Sequence, residues 1–278
     1  KPSRAFLSIE SSPLGLSLLV LASAMNYRCL LCVLVLLPAL CNCQDSFTPS
    51  RATFYGSPDC YGTSTGACGF GEYGRTVNDG YEWFSCSTYV TGVSRLYRNG
   101  SGCGACYQVR CTKPQCTGDG ANVVVTDYGE GDRTDFILSP RAYAKMAQPD
   151  AYQTKQLFAY GVVDVEVRRV PCRYSGYNLM FKVHERSRNP YYLAIIILYV
   201  GGTNDITAME YWQKDCQEWK PMRRVYGAVF DTQTPPSGCV NLRFQVSGSH
   251  GATWVQPKNP LPGDWKAGAA YDSQIQLD

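Results

Sequence analysis

The sequence is poor in histidine: 278 residues carry two, His184 and His250, both in the second half. It is also poor in net charge. The formal balance is +3, and Lys1, Arg4, Arg28 and Glu10 place +2 of that within the first 43 residues, leaving about +1 for the rest. So small an excess does not make a phosphate-binding surface, which argues against a nucleic-acid partner and fits a neutral one such as a polysaccharide. Helix-period segments are scarce as well. Residues 140–147 form the candidate, and no internal repeat or low-complexity tract is visible.

What the chain does contain is short β-type runs punctuated by Gly, Pro, Asn and Asp. Strands are expected at 52–55, 105–111, 123–127, 135–138 and 162–169. A short linker follows at 171–176, and then regularly spaced runs at 178–183, 193–200, 206–212, 225–230, 240–246 and 275–277. Six short strands within about 100 residues suggest a β-sandwich, which places a domain boundary near residue 173. Phe181, Tyr199, Phe230 and Phe244 are its expected core aromatics.

The N-terminal region reads as an address. Met25-Asn-Tyr-Arg28 is a short basic start, Leu30 to Leu40 is apolar, and Cys41-Asn-Cys43 offers small residues for cleavage before Gln44. This is signal-peptide grammar, with residues 1–24 as upstream sequence and Met25 as the start. The competing reading, one signal anchor over 14–41, is interrupted by Asn26 and Arg28. Of fourteen cysteines, Cys29, Cys32, Cys41 and Cys43 go with the leader and ten remain. An even number in a secreted chain reads as disulfides. A zinc site on Cys103, Cys106, Cys111 and Cys116 is the weaker alternative, since no histidine lies nearby. Asn99-Gly-Ser101 is a glycosylation sequon in a Gly-rich loop.

Gly102-Cys-Gly-Ala-Cys-Tyr-Gln-Val-Arg-Cys111, with Ala52-Thr-Phe-Tyr-Gly56 upstream and Thr126-Asp127 downstream, resembles the first domain of plant expansins. Asn189-Pro-Tyr-Tyr192 and Glu218-Trp-Lys-Pro-Met222 resemble their second domain. The likeness covers roughly residues 50–278 and is greatest to the expansin-like B branch, near β-expansins and group-1 grass-pollen allergens. It implies an all-β protein: residues 44–172 as a six-stranded double-psi β-barrel of the endoglucanase type, and residues 173–278 as an immunoglobulin-like, carbohydrate-binding sandwich. It also implies the disulfides Cys68–Cys103, Cys106–Cys172 and Cys111–Cys116. Cys60, Cys86, Cys216 and Cys239 are left, with a Cys216–Cys239 bridge possible. Residues 82–89 depart from the pattern. They read as a gene-model or splicing insertion rather than a functional loop, and their removal is expected to leave the fold intact.

Four carboxylates, Asp127, Glu130, Asp132 and Asp135, fall within nine residues. An inverting glycosidase needs an acid and a base roughly 6.5–9.5 Å apart. The related endoglucanases carry the acid in a His-Phe-Asp-Leu-Ser motif, and the aligned stretch here is Asp135-Phe-Ile137-Leu-Ser. Ile137 therefore stands where the acid would be. Asp135 shares its strand face but lies roughly 6–7 Å away along the strand. A displacement of even 1 Å can cost on the order of 100-fold in rate. Asp59 is either a remnant of the base or a turn residue after Pro58. Glu130 and Asp132 read as solvated loop charges.

Carboxylates also hold sugars, because their lone pairs accept hydroxyl hydrogen bonds while rings cover apolar sugar faces. The expected polysaccharide groove is Thr53, Tyr55, Asp127, Tyr128 and Asp135. The expected aromatic platform on the second domain is Tyr192, Trp212 and Trp219. The resemblance then implies a secreted, monomeric plant cell-wall protein without cofactor or metal, not anchored in a membrane once its signal is removed. It would bind cellulose, xylan or other matrix glycans and loosen their non-covalent contacts without hydrolysis. The rivals are a wall-binding or defence protein without loosening activity, and a weak endoglucanase using Asp127 or Asp135 with Asp59.

Overall fold

A computed structural model describes residues 46–56, 62–74, 88–131, 134–248 and 251–277. The leader, Asp59, Cys60, Cys86, Asp132, His250 and most of the 82–89 segment lie outside the described residues. The first six strands are β1 (Thr48–Phe54), β2 (Thr88–Val93), β3 (Cys106–Cys111), β4 (Ala121–Tyr128), β5 (Phe136–Leu138) and β6 (Val163–Arg169). They close into a barrel in the order β1-β5-β2-β4-β3-β6. The β1–β5 and β2–β4 pairs are parallel and the others antiparallel. Alternation fills the interior: Val163, Val165 and Val167 of β6 are buried together with Val123 and Val125 of β4 and with Phe136 and Leu138 of β5.

Two helices follow β5. Helix α1 (Pro140–Lys145) starts where the Ser139 hydroxyl accepts from the Ala142 N–H and proline takes the first turn, a position where its missing donor costs nothing. Helix α2 (Ala151–Tyr160) is capped by the Asp150 carboxylate accepting from the Tyr152 N–H, and it stops at Gly161, whose φ is 68°. Together they set Tyr143 and Phe158 against Phe54, with ring centroids 4.8 and 4.7 Å from that of Phe54.

The second half forms two sheets. One has the order β10 (Glu218–Pro221), β9 (Asp205–Gln213), β13 (Leu242–Gly248), β14 (Gly251–Val255). The other has the order β11 (Arg223–Tyr226), β12 (Val229–Thr232), β8 (Leu193–Leu198), β7 (Met180–Val183), β15 (Ala270–Asp272). Strand β8, Leu-Ala-Ile-Ile-Ile-Leu, is buried at all six positions because both of its faces are covered. Leu193, Ile195 and Ile197 pack with Phe181, Met209, Tyr211 and Phe244 between the sheets. Ala194, Ile196 and Leu198 join the barrel-side core.

The two halves meet backbone to backbone. A Cβ on Gly100 would lie 2.2 Å from the Gly227 carbonyl oxygen, and one on Gly227 would lie 2.3 Å from that of Ala67. Both glycines have positive φ, 93° and 48°. The Ala228 N–H donates to Cys68 O at 3.0 Å, and Arg98 and Arg169 converge on Asp205 at 2.8 and 3.0 Å. Disulfides join Cys68 to Cys103, Cys106 to Cys172 and Cys111 to Cys116. Cys216 and Cys239 are free and exposed.

Several details differ from the sequence reading. The run 225–230 is not one strand: Gly227 turns the chain between β11 and β12, which then pair with each other. Residues 275–277 carry no strand, and β15 is the partner of β7 at that edge. Tyr199 is half-buried with φ 60° and stacks near Tyr73, Tyr174 and Tyr177 instead of filling the sandwich core. Within the expected insertion, residues 88 and 89 belong to β2 and pair with Asn122 and Val123, so excising 82–89 whole would shorten a barrel strand.

Candidate functional site

Strand β4 carries Asp127, and a bulge aims it. Val123 and Val125 point into the barrel, so strict alternation would send Asp127 inward too. The β2–β4 register skips Thr126: Thr91 pairs with Val125 and Gly92 with Asp127. The extra residue buries Thr126 and turns Asp127 to the half-open outer face. There its Oδ1 accepts from the Ala67 N–H at 2.6 Å and from the Tyr128 N–H at 2.8 Å. Its Oδ2 accepts from the Tyr55 hydroxyl at 3.0 Å. A carboxylate offers about four acceptor sites, and three are taken by donors among the described residues. Burial, and then the charge of Asp127, push the Tyr55 phenol far above its ordinary pKa, so it remains a donor.

Glycines make the room. A Cβ at Gly92 would sit 2.5 Å from the Tyr55 Oη, and one at Gly129 would sit 2.8 Å from Ile137 Cδ1. Ile137 is half-buried and pairs with Thr53 on one side and Gly92 on the other, so an apolar side chain borders the Tyr55–Asp127 pair. Tyr128 is 47% exposed, and its ring lies 5.2 Å from that of Tyr97. Tyr97 was not singled out from the sequence, where Leu-Tyr-Arg-Asn-Gly reads as plain loop. Its hydroxyl donates to Ala67 O at 3.1 Å, and burial raises its phenol pKa.

Two expected groove residues are engaged elsewhere. The Thr53 hydroxyl donates to Gly161 O at 2.9 Å, which ties β1 to the end of α2. Asp135 accepts from the Ser50 hydroxyl at 2.9 Å and pairs with Arg95 at 3.3 Å. It opens into a cleft of about 760 Å³ lined also by Ser94, Glu130 and Asp164. The structure therefore parts Asp135 from Asp127 instead of joining them in one constellation. Asn99 is exposed, with φ 53°.

The expected platform also separates. Trp212 and Trp219 face each other across β9 and β10 with ring centroids 5.4 Å apart. They lie on the outer face of the four-stranded sheet. The Arg243 guanidinium, paired with Glu210, sits 4.5 Å from the Trp219 centroid and 4.6 Å from that of Trp254. Trp219 is thus a rung of a ladder, with Arg243 over its ring and the Trp212 ring tilted against it. Trp254, at the other end of the ladder, is 40% exposed. The ladder was illegible because Arg243 and Trp254 are remote from Trp219 in sequence.

Tyr192 stands just before β8 of the other sheet, bridged to Arg188 and packed against the barrel-side core. Its hydroxyl donates to Asp231 Oδ2 at 3.0 Å, and Asp231 is gripped by Arg223 at 2.8 Å. Tyr226, which the sequence reading placed inside a continuous strand, is 40% exposed at the end of β11. Its ring edge is 3.0 Å from where a Gly69 Cβ would be. The aromatic and polar residues therefore run from Tyr128, Asp127 and Tyr97 on the barrel, past Gly66–Gly69, to Tyr226 and Tyr192 on the sandwich. Glycine along the seam keeps this path low: a Cβ on Gly66 would meet Thr126 O at 2.6 Å and Asp127 at 3.3 Å. The path passes over backbone at Gly66–Gly69, is edged by tyrosines and carries the Asp127 carboxylate.

Two family profiles match the chain: the Expansin C-terminal domain over residues 179–262 and the lytic transglycolase domain over residues 89–167. The chain is 58% identical to Expansin-like B1 of Arabidopsis thaliana, over 88% of this chain and 94% of that one. It is 41% identical to Expansin-like B1 of Oryza sativa subsp. japonica, over 88% and 93%. It is 34% identical to Expansin-B1 of Zea mays, over 85% and 86%. Among solved structures, the expansin of Clavibacter michiganensis superposes with a TM-score of 0.58 at 20% identity, covering 83% of this chain and 98% of that one. A mutant of the same bacterial expansin, solved in complex with cellohexaose, gives a TM-score of 0.57 at 19% identity over 83% and 98%. With the barrel, the sandwich and these relatives in agreement, the chain belongs to the expansin family.

Proposed function

We propose that this expansin is a secreted plant cell-wall protein that grips a polysaccharide chain along the Tyr128–Asp127–Tyr226–Tyr192 path and loosens non-covalent contacts between wall polymers without hydrolysis. On this reading residues 1–43 are upstream sequence and signal peptide, 44–172 the barrel and 173–278 the carbohydrate-binding sandwich. The observation that carries it is the surroundings of Asp127. Three protein donors already point at its carboxylate, so it serves as a fixed acceptor for a sugar hydroxyl. A glycosidase needs a second carboxyl across the bond, and Ile137 fills the neighbouring position. The bound cellohexaose of the bacterial expansin supports a glucan-like ligand.

The test pairs two assays on the mature protein. A reducing-end assay on cellulose, xylan and mixed-linkage glucan is expected to show no new ends. Extension of heat-inactivated walls under load is expected to rise. Turnover that survives purification and disappears in Asp127→Ala or Asp135→Ala would restore the hydrolase reading. Binding without extension would favour a wall-binding protein.

A further inference from the structure

At the sandwich end of this path, Tyr226 is held by a histidine in a fixed tautomer. His184 is 9% exposed and sits at the end of β7. Its Nδ1 accepts from the Arg186 backbone N–H at 3.1 Å. A ring nitrogen that accepts carries no proton, so in the neutral ring the proton is on Nε2. That nitrogen is 2.9 Å from the Tyr226 Oη, and the rings meet edge-on with centroids 6.3 Å apart. His184 therefore donates, the Tyr226 oxygen accepts, and the phenol O–H is left to point away from the histidine.

The surroundings supply a second position for the ring. Glu185 Oε2 lies 3.9 Å from Nδ1, too far for a hydrogen bond to the neutral ring. Lys182, buried below, is bound to Glu185 Oε1 at 2.6 Å and to Phe70 O of the barrel at 3.3 Å. Arg186 is the other nearby cation, and Tyr226 is the titratable group facing His184 from β11. Adding a proton to Nδ1 sets it against the Arg186 N–H, donor against donor, and makes Glu185 its natural acceptor. Burial, aided by Lys182 and Arg186 and opposed by Glu185, lowers the His184 pKa below its ordinary value, so the neutral arrangement is the resting one near neutrality.

We infer that His184 is a positioning residue that fixes Tyr226 with its hydroxyl proton directed at bound polysaccharide, and that protonation of His184 releases Tyr226 and weakens binding. The inference rests on the groove proposed above. Losing one oriented hydrogen bond corresponds to a weakening on the order of three- to tenfold, developing as pH falls below the ordinary imidazole range.

The experiment is depletion binding of the folded protein to insoluble xylan and cellulose between pH 4.5 and 8, for the parent and for His184→Gln, His184→Phe, Tyr226→Phe, Tyr226→Ala and Asp127→Ala. The parent should bind less tightly at the acid end. His184→Gln keeps a donor for Tyr226 and takes no proton, so it should restore binding lost in His184→Phe and flatten the profile. Tyr226→Phe should be weaker throughout and equally flat. A parent-like acid fall in His184→Gln, with Tyr226→Ala impaired, overturns the inference alone. If circular dichroism shows both histidine variants unfolded, Tyr226→Phe decides: a persisting acid fall overturns it and a flat profile sustains it. If Tyr226→Ala and Asp127→Ala both bind like the parent, the groove itself is misplaced and the inference goes with it.

Discussion

The Tyr55 hydroxyl reaches the Asp127 carboxylate, 3.0 Å away, through space that exists because residue 92 is glycine. Gly92→Ala would put a methyl group 2.5 Å from that hydroxyl. We expect it to push Tyr55 aside and break the bond, at an overpacking cost of about 1–3 kcal/mol. Tyr55→Phe should cost less, about 1 kcal/mol, since it removes one donor and leaves the ring in place. Denaturant unfolding of the two variants checks the order, and wall-extension assays should show both impaired. Normal extension by both would mean that the orientation of Asp127 is unimportant.

Trp219→Ala should damage the fold more than it damages binding. The ring is half-buried between Trp212 and Arg243, and removing it also strands the guanidinium. A loss of about 1–3 kcal/mol is expected, below the cost of a fully buried tryptophan. Affinity for insoluble polysaccharide, measured below the unfolding range, should stay within about twofold. A tenfold loss of affinity with unchanged stability would return Trp219 to a sugar-binding role.

Glu185 answers the buried Lys182, whose side chain is 3% exposed against 57% for the glutamate. Burial pushes the Glu185 carboxyl up, but the bond from Lys182 more than offsets this, and the net shift is downward. A carboxyl with a lowered folded pKa contributes stability that is full above its unfolded pKa and is lost as pH falls through the folded value. Glu185→Gln should therefore cost about 1–3 kcal/mol at pH 7, discounted for the glutamate's exposure. Its deficit relative to the parent should shrink below pH 4. Urea midpoints of both proteins at pH 7 and pH 3.5 test this, and a deficit independent of pH would sink it.

The disulfides should rank by the loop each closes. Cys106–Cys172 spans 66 residues and Cys111–Cys116 spans 5. Loop-closure entropy gives about 4 kcal/mol for the first and about 2 kcal/mol for the second. Serine pairs at each site, compared by guanidinium unfolding, should preserve that order. A larger loss at Cys111–Cys116 would show that native-state contacts, and not the entropy of the unfolded chain, set these energies.

Much of the fold was legible because alternation and cysteine spacing are local signals. The valines of β4 and β6 announce barrel strands, and Gly102–Cys111 carries the family pattern. What stayed hidden depends on pairs distant in sequence. Helix α2 was missed because Leu157 is the one buried residue marking its inner face, while its signals, Asp150 before it and Gly161 after it, are single residues. Tyr226 was hidden because Val-Tyr-Gly-Ala-Val reads as a strand until Gly227 takes a positive φ against Ala67. The packing around Trp219 was hidden in the same way. The cation over its ring comes from residue 243, on a strand that pairs with β9.

Strand β8 bears on how such a protein could have been assembled. With Ala194, Ile196 and Leu198 turned to the barrel side and Leu193, Ile195 and Ile197 to the opposite sheet, the strand serves two cores at once. Separating the sandwich from the barrel would therefore uncover Ala194, Ile196 and Leu198. Cut free and fused to another partner, it would present a greasy stripe along its middle strand and seek a substitute for the lost barrel. A more polar stripe on β8 would make the halves easier to part.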